Sequence, residues 1–366
     1  MSTSVGLYGA SGVSYVLDQA IDKLSDQETD LTAQASSGMK SSSYAGLDSS
    51  SRTAALDLSP QITAISTWQT SISSAQTTLT VTQSALTQIS SIATTLSTNL
   101  LSLQGNLGQN EVDTIATSAK SALDTLGTLL NTQSGADYVF AGTDSYTAPV
   151  TGTSGLSSSD LAESIGTLVS NMGTSSDDAA TVLQQATSDA SGTGDSASLS
   201  VFSSALSVSA DSAKNLTSKA VVGNGDTVDV GMVATQSTEG MSASDTSTGS
   251  PIRDLMRNLM IVASLGDAST SSSSFSDLVT SLKSSTSDIS TSLSAEEGSL
   301  GIQQTQLTSQ STLLSTMSTM LSTQLGDARE ADAATVSVQL SAVQDQLEAS
   351  YTLISDLKSM TLASYI

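Results

Sequence analysis

From residue 58 to residue 100 an apolar side chain returns at every seventh position: Leu58, Ile65, Ile72, Leu79, Leu86, Ala93 and Leu100. Seven residues are two turns of a helix packed side by side with others, so this spacing predicts one long helix in a coiled-coil-like bundle. The companion column four residues on reads Ile62, Gln69, Gln76 and Gln83. A seam that is half polar favours a specific register over maximal stability. Further along, Ile89, Ile92, Leu96 and Leu103 form the apolar face, so the buried stripe is expected to drift around the helix.

The same spacing recurs at both ends of the chain. Upstream, Leu17, Leu24 and Leu31 lie seven apart, with Ala20 and Ala35 filling in and Gly38 closing a helix of about six turns. A Ser-, Gly- and Tyr-rich passage, residues 36–51, separates it from the long helix. After a loop around residues 105–110, Val112, Ile115, Ala119, Leu123, Leu126 and Leu130 predict a helix turned back on the first. Downstream, Leu300, Leu307, Leu314 and Leu321 repeat at seven, with Leu313, Met317 and Met320 beside them. A last run carries Val336, Leu340, Val343, Leu347, Ile354 and Leu357, and Gly326 with Asp327 and Arg329 marks the expected joint.

The middle differs in kind. Residues 151–250 are broken by Gly, Asn and Asp, with short amphipathic pieces at 161–172 and 179–186. Residues 220–230 place Gly223-Asn224-Gly225 between two β-branched runs, a hairpin signal. Pro251 followed by Ile252, Leu255, Met256 and Leu259 reads as the first position of a new helix.

Composition removes most catalytic chemistry. With no His and no Cys, the commonest general base, thiol nucleophiles, disulfides and the usual zinc ligands are absent. Thirty-five acidic residues against 11 basic ones leave a net charge of -24, which phosphate backbones and anionic membranes repel. Nucleic acid and membranes are therefore not expected partners. Aromatics at 3% cannot build a thick core, whereas 37% hydrophobic content exceeds that of a disordered chain. Narrow bundles of small residues interleaved with Leu and Ile reconcile the two. The first eight residues lack a basic stretch leading into an apolar run, so no cleavable signal peptide is expected, and no apolar run reaches the length of a membrane span.

Residues 135–149, GADYVFAGTDSYTAP, resemble the aromatic-Phe-Ala-Gly motif that closes the N-terminal bundle in the flagellin and hook-associated protein 3 superfamily. Residues 34–40, QASSGMK, resemble that family's turn after its first helix. Residues 229–234, DVGMVA, expected to lead into a helix, look like the passage re-entering its C-terminal half. The ending, from Ser350 through Leu357 and Leu362 to Ile366, resembles hook-filament junction members more than filament flagellins. The likeness covers roughly residues 1–150 and 220–366. Residues 43–47, SYAGL, replace the family's Pro-Ser-Asp-Asp-Pro type of turn, and the stretch 89–103 lacks the arginine-bearing surface that immune receptors bind in many flagellins.

The resemblance implies a flagellar subunit without enzymatic activity, exported through the flagellar type III apparatus and residing outside the cell. It implies terminal helices that pair only in the assembled tube, partners among flagellin, other hook-associated proteins and further copies of the chain, and an export chaperone on residues 336–357. The implied fold is mainly α: an elongated multi-helix coiled-coil-like bundle built from both chain ends, with a small mixed α/β central insert. Expected domains are 1–45 with 330–366 as the terminal helical part, 46–150 with 251–329 as the bundle, and 151–250 as an outer insert. A non-flagellar extracellular coiled-coil protein is the rival reading, and an enzymatic insert a more distant one.

No catalytic, metal or cofactor residues are assigned. Asp177-Asp178 and the Asp226 with Asp229 pair lack the order of a calcium loop and read as a helix cap and a turn. Glu296-Glu297 and Glu330 with Asp332 read as charge on solvated helix faces, with Arg329 at a subunit contact or paired to Glu330 or Asp332. Trp68 reads as packing at the bundle edge, with a contact between subunits as the alternative. The assembly and structural set is Leu17, Leu24, Leu31, Gly38, Tyr138, Phe140, Gly142, Val336, Leu340, Val343, Leu347, Ile354 and Leu357. Tyr138 and Phe140 are expected on one side of an extended strand, with Gly142 permitting a tight turn. The many Ser and Thr hydroxyls of the insert are candidate O-glycosylation sites.

Overall fold

The computed structural model describes residues 10–105, 108–152, 155–172, 178–267 and 273–359. Helices α1 (Ala10–Ser37), α2 (Ser49–Leu103) and α3 (Gln109–Leu130) open the chain. Short helices α4 (Asp160–Asn171), α5 (Ala179–Ser191) and α6 (Ala210–Lys214) follow, and then α7 (Pro251–Ala263), α8 (Ser273–Arg329) and α9 (Ala333–Ser359). Three antiparallel two-stranded hairpins interrupt them: β1 (Gln133–Ser134) with β2 (Asp137–Tyr138), β3 (Ser218–Val221) with β4 (Thr227–Val230), and β5 (Ala243–Ser244) with β6 (Ser247–Thr248). The fold is thus mainly α, with long helices and a small strand-bearing insert.

The chain divides into two compact units. One holds the described residues up to Ser66 and from Ser315 onward; the other is Thr67–Leu314.

In the Thr67–Leu314 unit, α2 buries two heptad columns. Ile72, Leu79, Leu86, Ala93 and Leu100 form the first, and Ala75, Thr82, Ile89, Leu96 and Leu103 the second. The companion column therefore begins at Ala75, three residues after Ile72. Gln69, Gln76 and Gln83 flank the seam and are half-buried. The expected drift does not occur, because Ile89, Leu96 and Leu103 belong to one straight column that already contains Ala75 and Thr82. Small and hydroxylated residues hid that column. Thr82 is fully buried and donates its hydroxyl to Thr78 O at 2.8 Å, so it serves as a seam residue without an orphaned polar atom.

The same back-bond lets so Thr-rich a chain remain helical, as at Thr77, Thr80, Thr87, Thr94 and Thr98, each bonded to the carbonyl four residues earlier. Helix α8 answers with Val279, Thr286, Leu293, Leu300, Leu307 and Leu314. It runs antiparallel to α2: Gln76 bonds Thr308, Ser90 donates to Glu297 at 2.8 Å, and Lys283 bonds Gln104. Glu296 is buried and Glu297 faces α2, so neither lies on a solvated face as the sequence suggested. Leu313 is 52% exposed and stands off the seam.

Helix α7 lies at the centre of this unit, with every residue buried and with α3, α4 and α5 packed around it. Ser250 precedes Pro251 at the first helical position, as its spacing implied. The hairpin β3/β4 forms where the turn signal placed it, with Val221 opposite Thr227. It rests on α8 through Gly231 N–H to Gln303 and Gln310 to Val222 O. No helix follows Ala234; the chain instead passes through β5/β6 before α7.

Removing the Leu86 side chain from the closed seam is expected to destabilise the chain by about 3 kcal/mol. The same truncation at exposed Leu313 is expected to change stability by less than about 0.5 kcal/mol. Urea denaturation of Leu86→Ala and Leu313→Ala measures both.

Candidate assembly surface and its joint

In the other unit α1 and α9 form an antiparallel pair. The register is set at one end by a β-bridge between Met39 and Glu330 and farther along by Gln344 donating to Glu28 at 3.1 Å. This places Leu31 level with Leu340, Leu24 with Leu347 and Leu17 with Ile354. Only Val336, Val343 and Leu347 are buried; Leu17, Leu24, Leu31, Leu340 and Ile354 are half-buried. Two helices cannot cover a heptad seam on all sides, so one edge of Leu17, Leu24, Leu31 and Leu340 remains open to solvent. Ala20 and Ala35 are exposed, and Ile21, Glu28 and Gln34 occupy the intervening seam positions instead. Tyr15, Val16, Val338, Tyr351 and Leu353 add exposed apolar surface on the outer faces. The side chain of Leu357, and Leu362 and Ile366, fall outside the described residues, as do Asp177 and the N-terminal eight.

The joint joining these helices to the rest of their unit is built from a few cations. Gly38 ends α1 in the left-handed conformation at φ +69, its N–H bonded to Gln34 O at 2.8 Å. The chain then crosses the α8–α9 turn: Lys40 N–H donates to Arg329 O, Lys40 Nζ to Ala328 O, and Ala331 N–H to Gly38 O. The Arg329 guanidinium sits 5.2 Å from the Tyr44 ring centroid and touches Met39 Sδ. Among the described residues it makes no ion pair with Glu330 or Asp332, and the Asp332 carboxylate is instead engaged in capping α9. Arg52 reaches back from α2 to the carbonyls of Tyr44, Ala45 and Leu47. Asp48 caps α2 through the N–H groups of Ser50 and Ser51, and the hydroxyl bond from Ser50 leads the causes that hold its carboxyl well below the usual range.

Helix α8 continues through Gly326 to Arg329, so the joint lies at residues 330–332, a few positions beyond the glycine. Asp332 starts α9 by accepting from Thr335 Oγ1 and from the N–H groups of Ala334 and Thr335, and these bonds lower its pKa. Glycine tolerated mid-helix was a misleading breaker; the capping Asp followed by Thr three residues later is the truer signal.

Tyr138, Phe140 and Gly142 lie in the Thr67–Leu314 unit. Strand β2 ends at Tyr138 and the chain turns at once, Ala141 N–H bonding Tyr138 O, so the two aromatics do not alternate along a strand. Phe140 is fully buried and Tyr138 half-buried. Ala234 N–H donates to Phe140 O, and Thr143 N–H to Leu216 O. Gly142 has φ +66, and a Cβ there would lie 2.4 Å from Leu216 O. This corner therefore staples the segment after α3 to the segments before and after the β3/β4 hairpin.

The sequence reading missed the polar interior of α7. Arg253 donates to Leu206 O and Val208 O at 2.9 Å and lies over the Phe202 ring; burial lowers its pKa to about 10. Arg257 reaches Thr187, Thr246 O, Asn258 and Ser285, with Asp254 at 3.5 Å. Asp254 in turn accepts from Thr248 and Ser247. The signal was available: two arginines four apart in a chain with only four. The remaining candidates are local structure. Asp178 caps α5 through Thr181, Asp229 pairs with Lys219, and Trp68 is half-buried.

Residues 284–366 match the family model of the bacterial flagellin C-terminal helical region. The match supports a place in the flagellin superfamily, and it lies on most of α8 and on α9, which meet at the joint and of which α9 carries one side of the partly closed seam. No curated protein matches the chain. Among the described residues no helix is long and apolar enough to cross a membrane.

Gly142→Ala is expected to destabilise the Thr67–Leu314 unit by about 2 kcal/mol or more, through the left-handed φ and the clash with Leu216 O. Chemical denaturation checks it. The depressed pKa of Asp332 makes its cap fully effective above the ordinary carboxylate pKa of about 3.9, and the contribution fades as pH falls through the lower folded value. Helicity compared by circular dichroism should thus favour the native chain over Asp332→Ala at neutral pH and converge in strong acid.

Proposed function

We propose that the chain is a structural subunit of the bacterial flagellum that polymerises through α1 and α9. The family match takes in α9, whose heptad seam with α1 two helices alone leave half open, and this observation carries the reading. Neighbouring subunits supply the missing helices around Leu17, Leu24, Leu31, Leu340 and Ile354. Residues 1–45 with 330–366 form the inner assembly layer, 46–150 with 251–329 the wall, and 151–250 the outward-facing part. Before assembly, an export chaperone covers the amphipathic stretch at 336–357, and the chain leaves the cell by the flagellar export apparatus.

Within the flagellum the hook-filament junction is the position we favour, on the resemblance of residues 135–149 and of the C-terminal stretch to junction members. Filament flagellin fits the family match equally. Immunogold labelling of isolated flagella with antibody to residues 151–250 tests both levels. A ring confined to the hook end is expected. Label along the whole filament overturns the junction position and keeps the subunit reading, and flagella without label overturn the subunit reading.

A further inference from the structure

We infer that the Asn224-Gly225 step at the tip of the β3/β4 hairpin is a site of spontaneous backbone-assisted modification, converting Asn224 through a cyclic succinimide to aspartate and isoaspartate. Asn-Gly occurs once in the chain. Val222 and Asp226 close the loop through the bond from Val222 N–H to Asp226 O, leaving Gly223, Asn224 and Gly225 to span the tip. Asn224 and Gly225 are both exposed. Gly225 has φ +90 and nothing within 4 Å of where a Cβ would stand, so no side chain of its own obstructs the tip. Among the described residues its N–H donates no hydrogen bond, and the nitrogen is free to attack the neighbouring side chain.

The chemistry balances with water alone. Gly225 N loses its proton and forms a bond to Asn224 Cγ; the Cγ–Nδ2 bond breaks and ammonia leaves with that proton. Water then opens the ring, at Cγ to give aspartate in an unchanged main chain, or at the α-carbonyl to give isoaspartate with one extra main-chain carbon. Either product adds a negative charge beside Asp226, whose carboxylate folds over Gly223. The ladder from Val221–Thr227 to Ser218–Val230 lies beyond the altered bond and stays paired. Other asparagines precede side-chain-bearing residues, which obstruct the attack.

Ageing the folded full-length chain at 37 °C, at pH 6 and pH 9, with peptide mass mapping tests the proposal. A gain of about 1 Da is expected on the peptide carrying residue 224. It should accumulate about tenfold faster than at any other Asn, where the next residue carries a Cβ. It should be faster at pH 9, resolve into two isomers, and vanish in Asn224→Gln, a substitution at an exposed tip that leaves the fold intact. The same chain unfolded in urea provides the reference. Modification of residue 224 in urea but not in the folded chain, or an unchanged residue 224 in both, overturns the inference.

Discussion

A heptad seam is as stable as the number of helices that close over it, and the two units of this chain sit at opposite ends of that scale. Where α2 meets α8, two columns are fully buried over successive heptads, and each enclosed Leu or Ile contributes about 2 kcal/mol. Where α1 meets α9, the same spacing is answered by one partner helix only, and most of its leucines stay half open. The same sequence pattern therefore builds a self-sufficient wall in one place and an unfinished surface in another. The proposed assembly draws on that difference, with further copies of the chain supplying the helices that the second seam lacks.

Polarity is handled in a way that keeps so Ser- and Thr-rich a chain specific. Hydroxyls inside helices bond back to carbonyls one turn earlier, which lets Thr82 occupy a core position. The four arginines each hold loop backbone or an aromatic ring in place. Arg52 and Arg329 organise the joint beside Tyr44, and Arg253 and Arg257 tie the insert loops to α7. In a chain of net charge -24, cations are scarce, and they are spent where irregular backbone must be fixed.

The helical architecture was legible because its evidence is periodic: Leu58 to Leu100, Leu300 to Leu321, the Gly223-Asn224-Gly225 hairpin and the Pro251 start all appear where spacing places them. The second α2 column was not legible, because it opens on a small Ala75 and a polar Thr82, and only burial reveals them. The α8–α9 break was set at Gly326, although a glycine inside a long packed helix costs too little to end it, and Asp332 decides the boundary by capping. Glu296 and Glu297 looked solvated because sequence cannot show that the first is buried and that the second meets Ser90 of α2. For the assembly set, the leucines of α1 and α9 were readable from spacing, whereas Lys40, Tyr44 and Arg52 act through backbone carbonyls or a ring and leave no periodic trace.

Hydrogen exchange with mass mapping, run on the isolated chain and on its polymer, tests the unfinished seam most directly. The account predicts weak protection of α1 and α9 in the isolated chain, strong protection of both in the polymer, and α2, α7 and α8 between Thr67 and Leu314 protected in each state. Protection of α1 and α9 in the isolated chain equal to that of α7, unchanged on polymerisation, would contradict it.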